Sequence, residues 1–243
     1  MKTKNLAIPF VMLFLLLLNT SCIFDFNVIA GSGNIVTESR SAKDFTSIEL
    51  QTSADVKIVK GNAFNVTVSD YENLVQYLAV EVVDNRLIIK KNKKFVNFWN
   101  SKAKVIVTLP DPLYSVKLSG SGNMNVSSTF NDLEFLLVSG SGNIELASDC
   151  RLNKLDARIS GSGNMDATGT VQDLYTKISG SGNIHFSQLK AKSANCTLSG
   201  SGNMYVFIED KLEAFLSGSG DIVYYGTPVV NSHVSGSGSI HKN

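Results

Sequence analysis

The chain of 243 residues carries 22 Lys and Arg against 21 Asp and Glu, a formal net charge of +1, and 43% of it is apolar. That balance removes any global electrostatic case for nucleic acid as a partner. Of the three cysteines, Cys22, Cys150 and Cys196, the last two are the only pair left for a disulfide once Cys22 is modified.

The chain begins with a processing segment. Lys2 and Lys4 precede an unbroken apolar stretch from Phe10 to Leu18, followed by Thr20, Ser21 and Cys22. A basic start, a short apolar core and small residues predict a secretory signal over residues 1–21, too short and wrongly flanked for a resident helix. The cysteine that follows makes it similar to a bacterial lipoprotein signal, cleaved before Cys22 and acylated on its thiol. Asn19 departs from that motif, whose leucine falls one place early at Leu18; the plainer alternative is an ordinary secretory signal with an unrelated cysteine. Each buried methylene of an acyl chain contributes roughly 0.8 kcal/mol, so two or three chains on Cys22 anchor a soluble body to a membrane. Residues 22–29 then form a tether. The expected address is the cell envelope, as an outer-membrane lipoprotein touching the membrane through its lipid. Ile23-Phe24-Asp25-Phe26 is not a rich acidic run of the kind that resembles surface-export signals, which leaves both the periplasmic and the surface-facing side open.

Residues 30–115 show a repeat in degenerate form. Ala30-Gly31-Ser32-Gly33-Asn34-Ile35 reads as one corner, with Gly31, Gly33 and Asn34 as its turning residues. The stretch from Ile48 to Ile58 aligns with Val116 to Val126, its glycines lost and its alternation kept. The period then breaks. Phe64–Val68, Leu87–Ile89 and Val105–Leu109 alternate as strands, and Glu72–Tyr77 reads as a short helical or bent segment. This region is expected to be an irregular insertion of antiparallel strands that caps or widens the start of a stack, because open stacks need protected ends. Within it, Lys90, Lys91, Lys93 and Lys94 run into Phe98 and Trp99. Lysines beside aromatics can hold an acidic glycan, a membrane headgroup or a partner protein. The bland reading is a hairpin whose aromatics pack on the body while its lysines guard an edge.

Residues 116–243 carry the dominant signal. Ser-Gly-Ser-Gly-Asn begins at Ser119, Ser139, Ser160, Ser179 and Ser199, and recurs with altered last residues from Ser217 to Asp221 and from Ser235 to Ser239. Self-similarity at about 20 residues is the signature of a solenoid. The glycine pairs Gly120/Gly122, Gly140/Gly142, Gly161/Gly163, Gly180/Gly182 and Gly200/Gly202 can take positive backbone dihedrals. Asn123, Asn143, Asn164, Asn183 and Asn203 tolerate the left-handed region better than most residues. Together they turn a corner. After each comes an alternating strand such as Ile144-Glu145-Leu146 or Ile184-His185-Phe186, its second residue outward: Asn125, Glu145, Asp166, His185, Tyr205, Val223. Before each comes an aliphatic residue (Leu118, Val138, Ile159, Ile178, Leu198, Leu216, Val234), with anchors Leu133, Leu155, Leu174 and Leu212 further upstream. The predicted fold is all-β: a single-chain parallel β-solenoid (β-helix) of ~20-residue coils, filled by side chains, with the antiparallel insertion in its N-terminal half.

The opening Gly31-Ser32-Gly33-Asn34, the Ile48-to-Ile58 strand pair and Thr108-Leu109-Pro110 leading into Ser119-Gly120-Ser121-Gly122-Asn123 resemble a bacterial family. It is the auto-transporter adhesin head domain, named for its Gly-Ile-Asn motif and known too as a domain of unknown function. The resemblance runs from about Val28 to the C-terminus. It implies a β-solenoid in an envelope or secreted protein of Bacteroidetes-type bacteria, adhesin-like, with no established catalytic residues.

No catalytic constellation stands out. His185, His233 and His241 fall on different coils without zinc-motif spacing. Gly-Ser-Gly-Asn recurs too regularly to be a phosphate loop, and acidic residues at only Asp55 and Asp221 do not make a calcium repeat. A structural ladder of Asn34, Asn123, Asn143, Asn164, Asn183 and Asn203 is expected instead. Cys150 and Cys196 fall on different faces of coils two steps apart, beyond disulfide reach, and are expected to be free and buried. No cofactor and no metal are expected. The leading reading is a non-catalytic envelope lipoprotein, an adhesin-like binding module for a polysaccharide or other surface polymer, with a glycan or an envelope protein as partner. The alternatives are a structural or sensory envelope protein assembling through its solenoid ends, and a β-helix polysaccharide-acting enzyme, disfavoured by the short, loop-poor coils.

Overall fold

The computed structural model describes residues 27–92 and 96–243. The predicted signal segment, Cys22 and the lysines Lys93 and Lys94 lie outside the described residues. The described residues form nineteen strands and one 3-10 turn (Val75–Tyr77). The first nine strands are β1 (Asn27–Ala30), β2 (Ile35–Arg40), β3 (Ser47–Leu50), β4 (Asp55–Lys60), β5 (Asn65–Tyr71), β6 (Leu78–Val83), β7 (Arg86–Lys91), β8 (Val96–Trp99) and β9 (Lys104–Leu109). They are followed by β10 (Ser115–Leu118), β11 (Met124–Val126), β12 (Phe135–Val138), β13 (Ile144–Ile159), β14 (Met165–Ile178), β15 (Ile184–Leu198), β16 (Met204–Leu216), β17 (Ile222–Gly226), β18 (Val229–Val234) and β19 (Ile240–Lys242).

From β10 onward each coil lies parallel on the one before it, giving the predicted β-solenoid. The strands preceding each corner stack in the order β3, β10, β12, β13, β14, β15, β16, β18, and we call this face A. Those following each corner stack as β4, β11, β13, β14, β15, β16, β17, β19, forming face B. In the long strands β13 to β16 a bend breaks the register between the two faces and leaves a short third side, as between Leu146 and Cys150. Inward residues stand in continuous columns. Val56, Met124, Ile144, Met165, Ile184, Met204 and Ile222 are paired in series and all buried, as are Leu50, Leu118, Val138, Ile159, Ile178, Leu198 and Leu216. A position recurring every coil can be buried only by its copies above and below, which is why the period alone predicts the stack. One core cluster runs from Phe45 to Ile222, so residues 30–115 and 116–243 share a single interior.

The N-terminal half joins this stack out of chain order. β3 and β4 pair with β10 and β11, placing Ile48 opposite Val116 and Ile58 opposite Val126 as the alignment predicts. The next rung outward is later in sequence: β7 pairs parallel with β3, and β9 with β4. The expected insertion therefore contributes a coil of its own. Antiparallel strands cover its outer edges: β6 on β7, then β5 on β9 and β2 on β5. The hairpin from β6 to β7 turns through Asp84 and Asn85, both in the left-handed region. The end of the expected tether opens β1 (Asn27–Ala30), which pairs parallel with β8.

Two expectations about the corners need correction. The repeat glycines do not take positive φ; Gly33 (φ 84°) is the one corner glycine that does. The second glycine of each pair, Gly122, Gly142, Gly163, Gly182 and Gly202, is buried. Glycine is required in the repeat because backbone packs directly on backbone. Ser141 N–H donates to Gly120 O at 3.2 Å, and Ser162 N–H to Gly140 O at 3.0 Å, so the parallel ladder continues through the corner. A Cβ on Gly142 would sit 2.8 Å from the carbonyl carbon of Gly122 and closer still to its oxygen. The same collision recurs up the column: a Cβ on Gly163 would strike the Gly142 carbonyl, one on Gly182 that of Gly163, and one on Gly202 that of Gly182. The first glycines, Gly140, Gly161, Gly180 and Gly200, likewise lie against the carbonyls of Gly120, Gly140, Gly161 and Gly180. The corner asparagines also avoid the left-handed region; their side chains make the ladder instead.

That ladder omits Asn34. Its first rung is Asp55, whose Oδ1 accepts from Asn123 Nδ2 at 3.0 Å. Asn123, Asn143, Asn164 and Asn183 each accept in turn from the next asparagine, Asn203 accepts from Asp221 N–H at 2.9 Å, and Asp221 accepts from Ser239. The corner Gly31–Asn34 sits elsewhere because β2 leaves it antiparallel to β5. There Asn73 Oδ1 accepts from Ser32 N–H at 2.8 Å, and Asn34 O from Glu72 N–H at 2.9 Å.

Candidate functional site

Among the described residues, the two parts of the basic-aromatic segment do not pair with each other as a hairpin. Lys90 and Lys91 end β7, which pairs with β3 and β6, while Phe98 and Trp99 belong to β8, which pairs with β1. Lys90 Nζ is ion-paired with Glu81 on the neighbouring strand. Lys91 Nζ lies 4.9 Å from the centroid of the Phe98 ring, and that ring packs on Tyr77 at 5.5 Å. These side chains are therefore held by one another. Trp99 differs: it is 71% exposed, with its backbone carbonyl accepting from Gly31 N–H at 2.9 Å.

Face B presents the outward column predicted from the repeat. Asn125 Nδ2 donates to Glu145 Oε2 at 2.7 Å, Asp166 Oδ1 lies 3.3 Å from His185 Nδ1, and the His185 ring stacks on Tyr205 at 5.5 Å. Val223 departs from the expectation: it is only 8% exposed, between Tyr205 and His241 in register. Toward the N-terminal end this face deepens into a groove of about 740 Å³ bordered by Lys57, Lys104, Ile106 and Asn125. It forms where the parallel strands β4 and β9 meet antiparallel β5.

Face A carries features that the repeat pattern alone does not announce. Asp156 and Arg158 of β13 form a two-point ion pair at 2.7 and 2.6 Å, and Lys211 pairs with Glu213 on β16 at 2.7 Å. Between them β15 presents only the small polar side chains Ser193, Asn195 and Thr197, leaving two adjoining hollows of about 160 and 200 Å³ that share Tyr175 and Asn195. Tyr175 and Phe215 stand exposed on either side. Three aromatics on this face, Phe135, Tyr175 and Phe215, are spaced forty residues apart, a signal visible only when every second coil is compared.

His185, His233 and His241 are all exposed on separate strands. Among the described residues, no three His, Cys, Asp or Glu side chains lie together as a metal site would require. Cys150 and Cys196 are free and buried, as expected. Burial pushes both thiols up to about 11; Cys150 Sγ donates to Thr168 O at 3.0 Å. Among the described residues, no helix is long and apolar enough to cross a membrane.

A parallel solenoid with Gly-Ser-Gly-Asn corners, capped at one end by antiparallel strands, defines a β-solenoid repeat protein. The chain belongs to the family described as "Putative auto-transporter adhesin, head GIN domain", whose model matches residues 44–228. Among solved structures, it is similar to a "putative adhesin" from Bacteroides fragilis NCTC 9343, with 24% identity, a TM-score of 0.80, and 88% of this chain and 100% of that one covered. A "putative lipid binding protein" from Parabacteroides distasonis ATCC 8503 is 26% identical, with a TM-score of 0.74 and coverage of 89% and 100%. A "putative adhesin" from Parabacteroides merdae ATCC 43184 is 22% identical, with a TM-score of 0.72 and coverage of 89% and 99%. No curated protein matches the chain.

Proposed function

We propose that this chain is a non-catalytic, adhesin-like module of the cell envelope, tethered to the outer membrane by an acylated Cys22, that binds a polysaccharide or other surface polymer. The observation that carries this reading is the regularity of the outward faces. Their side chains stand in columns at strand spacing along a filled stack, with five-residue corners rather than long loops between strands. A repeating surface of this kind complements a repeating ligand, whereas a cleft-built catalytic site needs long loops to enclose a substrate. The adhesin description of the family supports the same reading. Trp99, exposed beside the basic end of β7, is a further contact for that polymer.

Three measurements test it. Protease applied to intact cells, with lysed cells and a periplasmic control alongside, should cut the protein at the surface, and Cys22→Ser should release it from the membrane fraction. Envelope polysaccharide from the producing cells should retain the full chain. Cleavage only after lysis rules out surface adhesion, and failure to be retained by any envelope polymer overturns the binding reading.

A second reading rests on β18. All six of its residues are exposed, Val229 to 76%, and among the described residues no strand pairs with its outer edge. An unpaired parallel edge is a template for strand addition by a second copy. In that case sedimentation would show concentration-dependent association that Val230→Lys abolishes.

A further inference from the structure

On face A, every second strand presents an aromatic ring. Phe135 lies on β12, Tyr175 on β14 and Phe215 on β16, with β13 and β15 between them. Phe135 and Tyr175 occupy one outward column, because both pair in register with Asp156; Phe215 stands in the adjacent column, opposite Thr197. Two strand spacings make about 10 Å, so the rings form a track at that interval along the solenoid axis.

The strands between the rings carry hydrogen-bonding groups. β15 contributes Asn195 and Thr197 to the floor of the hollows beside Tyr175. Glu213 Oε2 accepts from Asn195 Nδ2 at 3.3 Å, which orients the amide and leaves its carbonyl oxygen as an acceptor. Tyr175 and Phe215 are 44% and 45% exposed, so their rings are open to a ligand. One side of Tyr175 is occupied by Lys154, whose ammonium lies 5.3 Å from the ring centroid. Phe135 is less available, bracketed by Lys117 at 5.6 Å and Arg158 at 5.7 Å.

The geometry points to face A as the binding site for an extended, neutral, β-linked pyranose chain running along the solenoid axis, with Tyr175 and Phe215 stacking on every second sugar and Asn195 and Thr197 bonding the hydroxyls of the sugar between. This rests on the polymer-binding reading above and names its site and ligand class. Three features select that occupant. A pyranose offers an apolar C–H face to a ring and hydroxyls at its rim, so it needs alternating aromatic and carboxamide or hydroxyl partners, as found here. In an extended β-linked chain successive sugars are flipped, and the repeat of two sugars matches two strand spacings. The charged residues lining the hollows cancel, Asp156, Asp173 and Glu213 against Arg158, Lys177 and Lys211, with Asp156 directly ion-paired to Arg158 and Glu213 to Lys211. Lys117 and Lys154 are held over the Phe135 and Tyr175 rings, so the lining has no excess charge for a polyanion. The groove on face B, with Lys57 and Lys104 at its border, would suit an acidic polymer better.

Calorimetric titration of the full chain in detergent with cellohexaose, chitohexaose and β-mannohexaose tests this, with maltohexaose and polygalacturonate as the curled and acidic comparisons. At least one extended β-linked hexaose should bind more tightly than both comparisons. Tyr175→Ala and Phe215→Ala should each weaken it about tenfold, the loss of one ring's stacking. Phe135→Ala should cost less, and Thr170→Ala, on the third side, should change nothing. All four are surface changes, and unaltered thermal unfolding verifies the fold. Undiminished affinity in both Tyr175→Ala and Phe215→Ala overturns the site while leaving polymer binding standing. Preference for polygalacturonate or maltohexaose overturns the ligand class. If neither these probes nor envelope polysaccharide is bound, the functional reading fails together with this one.

Discussion

Asn143 Oδ1 accepts two hydrogen bonds from Asn164, one from the backbone N–H at 2.9 Å and one from Nδ2 at 3.0 Å. Asn164 Oδ1 in turn accepts both corresponding groups of Asn183, at 3.0 and 2.9 Å. Each asparagine thus donates to the coil before it and accepts from the coil after it. Asn164→Leu would remove the acceptor for both groups of Asn183 and one of the two donors to Asn143, leaving half-buried polar groups of Asn183 unpaired. The expected loss is about 2 kcal/mol, read as a lowered urea midpoint. An unchanged midpoint would mean that water replaces the ladder without penalty.

Gly142 faces a steric limit rather than a conformational one. Its φ is not positive, yet an added methyl would run into the Gly122 carbonyl. A flexible side chain could move aside; a hydrogen-bonded corner cannot. Gly142→Ala should therefore destabilise by about 3 kcal/mol, the upper range for overpacking. Gly33, where φ is 84° and the nearest atoms belong to the Glu72 side chain, should instead lose stability through backbone strain and accept Asn better than Ala. Denaturation of these variants checks the contrast: equal tolerance of Asn at both positions would contradict it.

Asp221 closes the ladder near the last coil. Its Oδ1 accepts from the backbone N–H and the hydroxyl of Ser239, both at 2.8 Å, and these bonds hold its carboxyl below the ordinary value of 3.8. The folded chain thus favours the charged form. The stabilisation is present above the ordinary carboxylate value and is lost as pH falls through the depressed folded value. Amide exchange at Ser239 should accelerate in that acid window. Asp221→Asn keeps the acceptor and should abolish the acid sensitivity, and persistence of the sensitivity in that variant would count against the assignment.

The thiols of Cys150 and Cys196 should be inert in the native protein. Burial raises both from 9.0 to about 11, and the thiolate is the reactive form. Iodoacetamide at pH 8 should label them only after unfolding. Because the folded pKa values are raised, their contribution to stability is complete below 9 and lost as pH climbs through 11, so alkaline unfolding should begin in that interval. Labelling of either cysteine in native conditions would show that its coil opens locally.

How much of the fold and site is legible in the chain depends on whether a feature repeats. Leu118, Val138 and Ile159 read as inward because they precede corners in successive coils, and all are buried. Ile48 aligns with Val116 by alternation alone, and the two are paired. Val223 escapes the pattern because its coil narrows to Ile222-Val223-Tyr224 with apolar residues on both sides, so alternation carries no direction there. Gly163, Gly182 and Gly202 are recognisable as corner residues, but not the carbonyl each one faces, since that belongs to the coil below. The candidate segment from Lys90 to Trp99 is recognisable as basic and aromatic. Its division between β7 and β8 is not, because β8 is held by β1, a partner more than sixty residues away in sequence.

The amino-acid sequence by itself determined the parallel stack, the aliphatic columns, the free cysteines and the corner positions. These follow from one repeating unit that can bury its apolar face only against its own copies. Only the tertiary structure decided the order in which β7, β3 and β10 stack, the exclusion of Asn34 from the ladder and the true reason for the corner glycines. It also brought Phe135, Tyr175 and Phe215 onto one face. Each of these depends on which backbone lies against which across many residues of chain, and such contacts are settled by register and close packing rather than by any local preference.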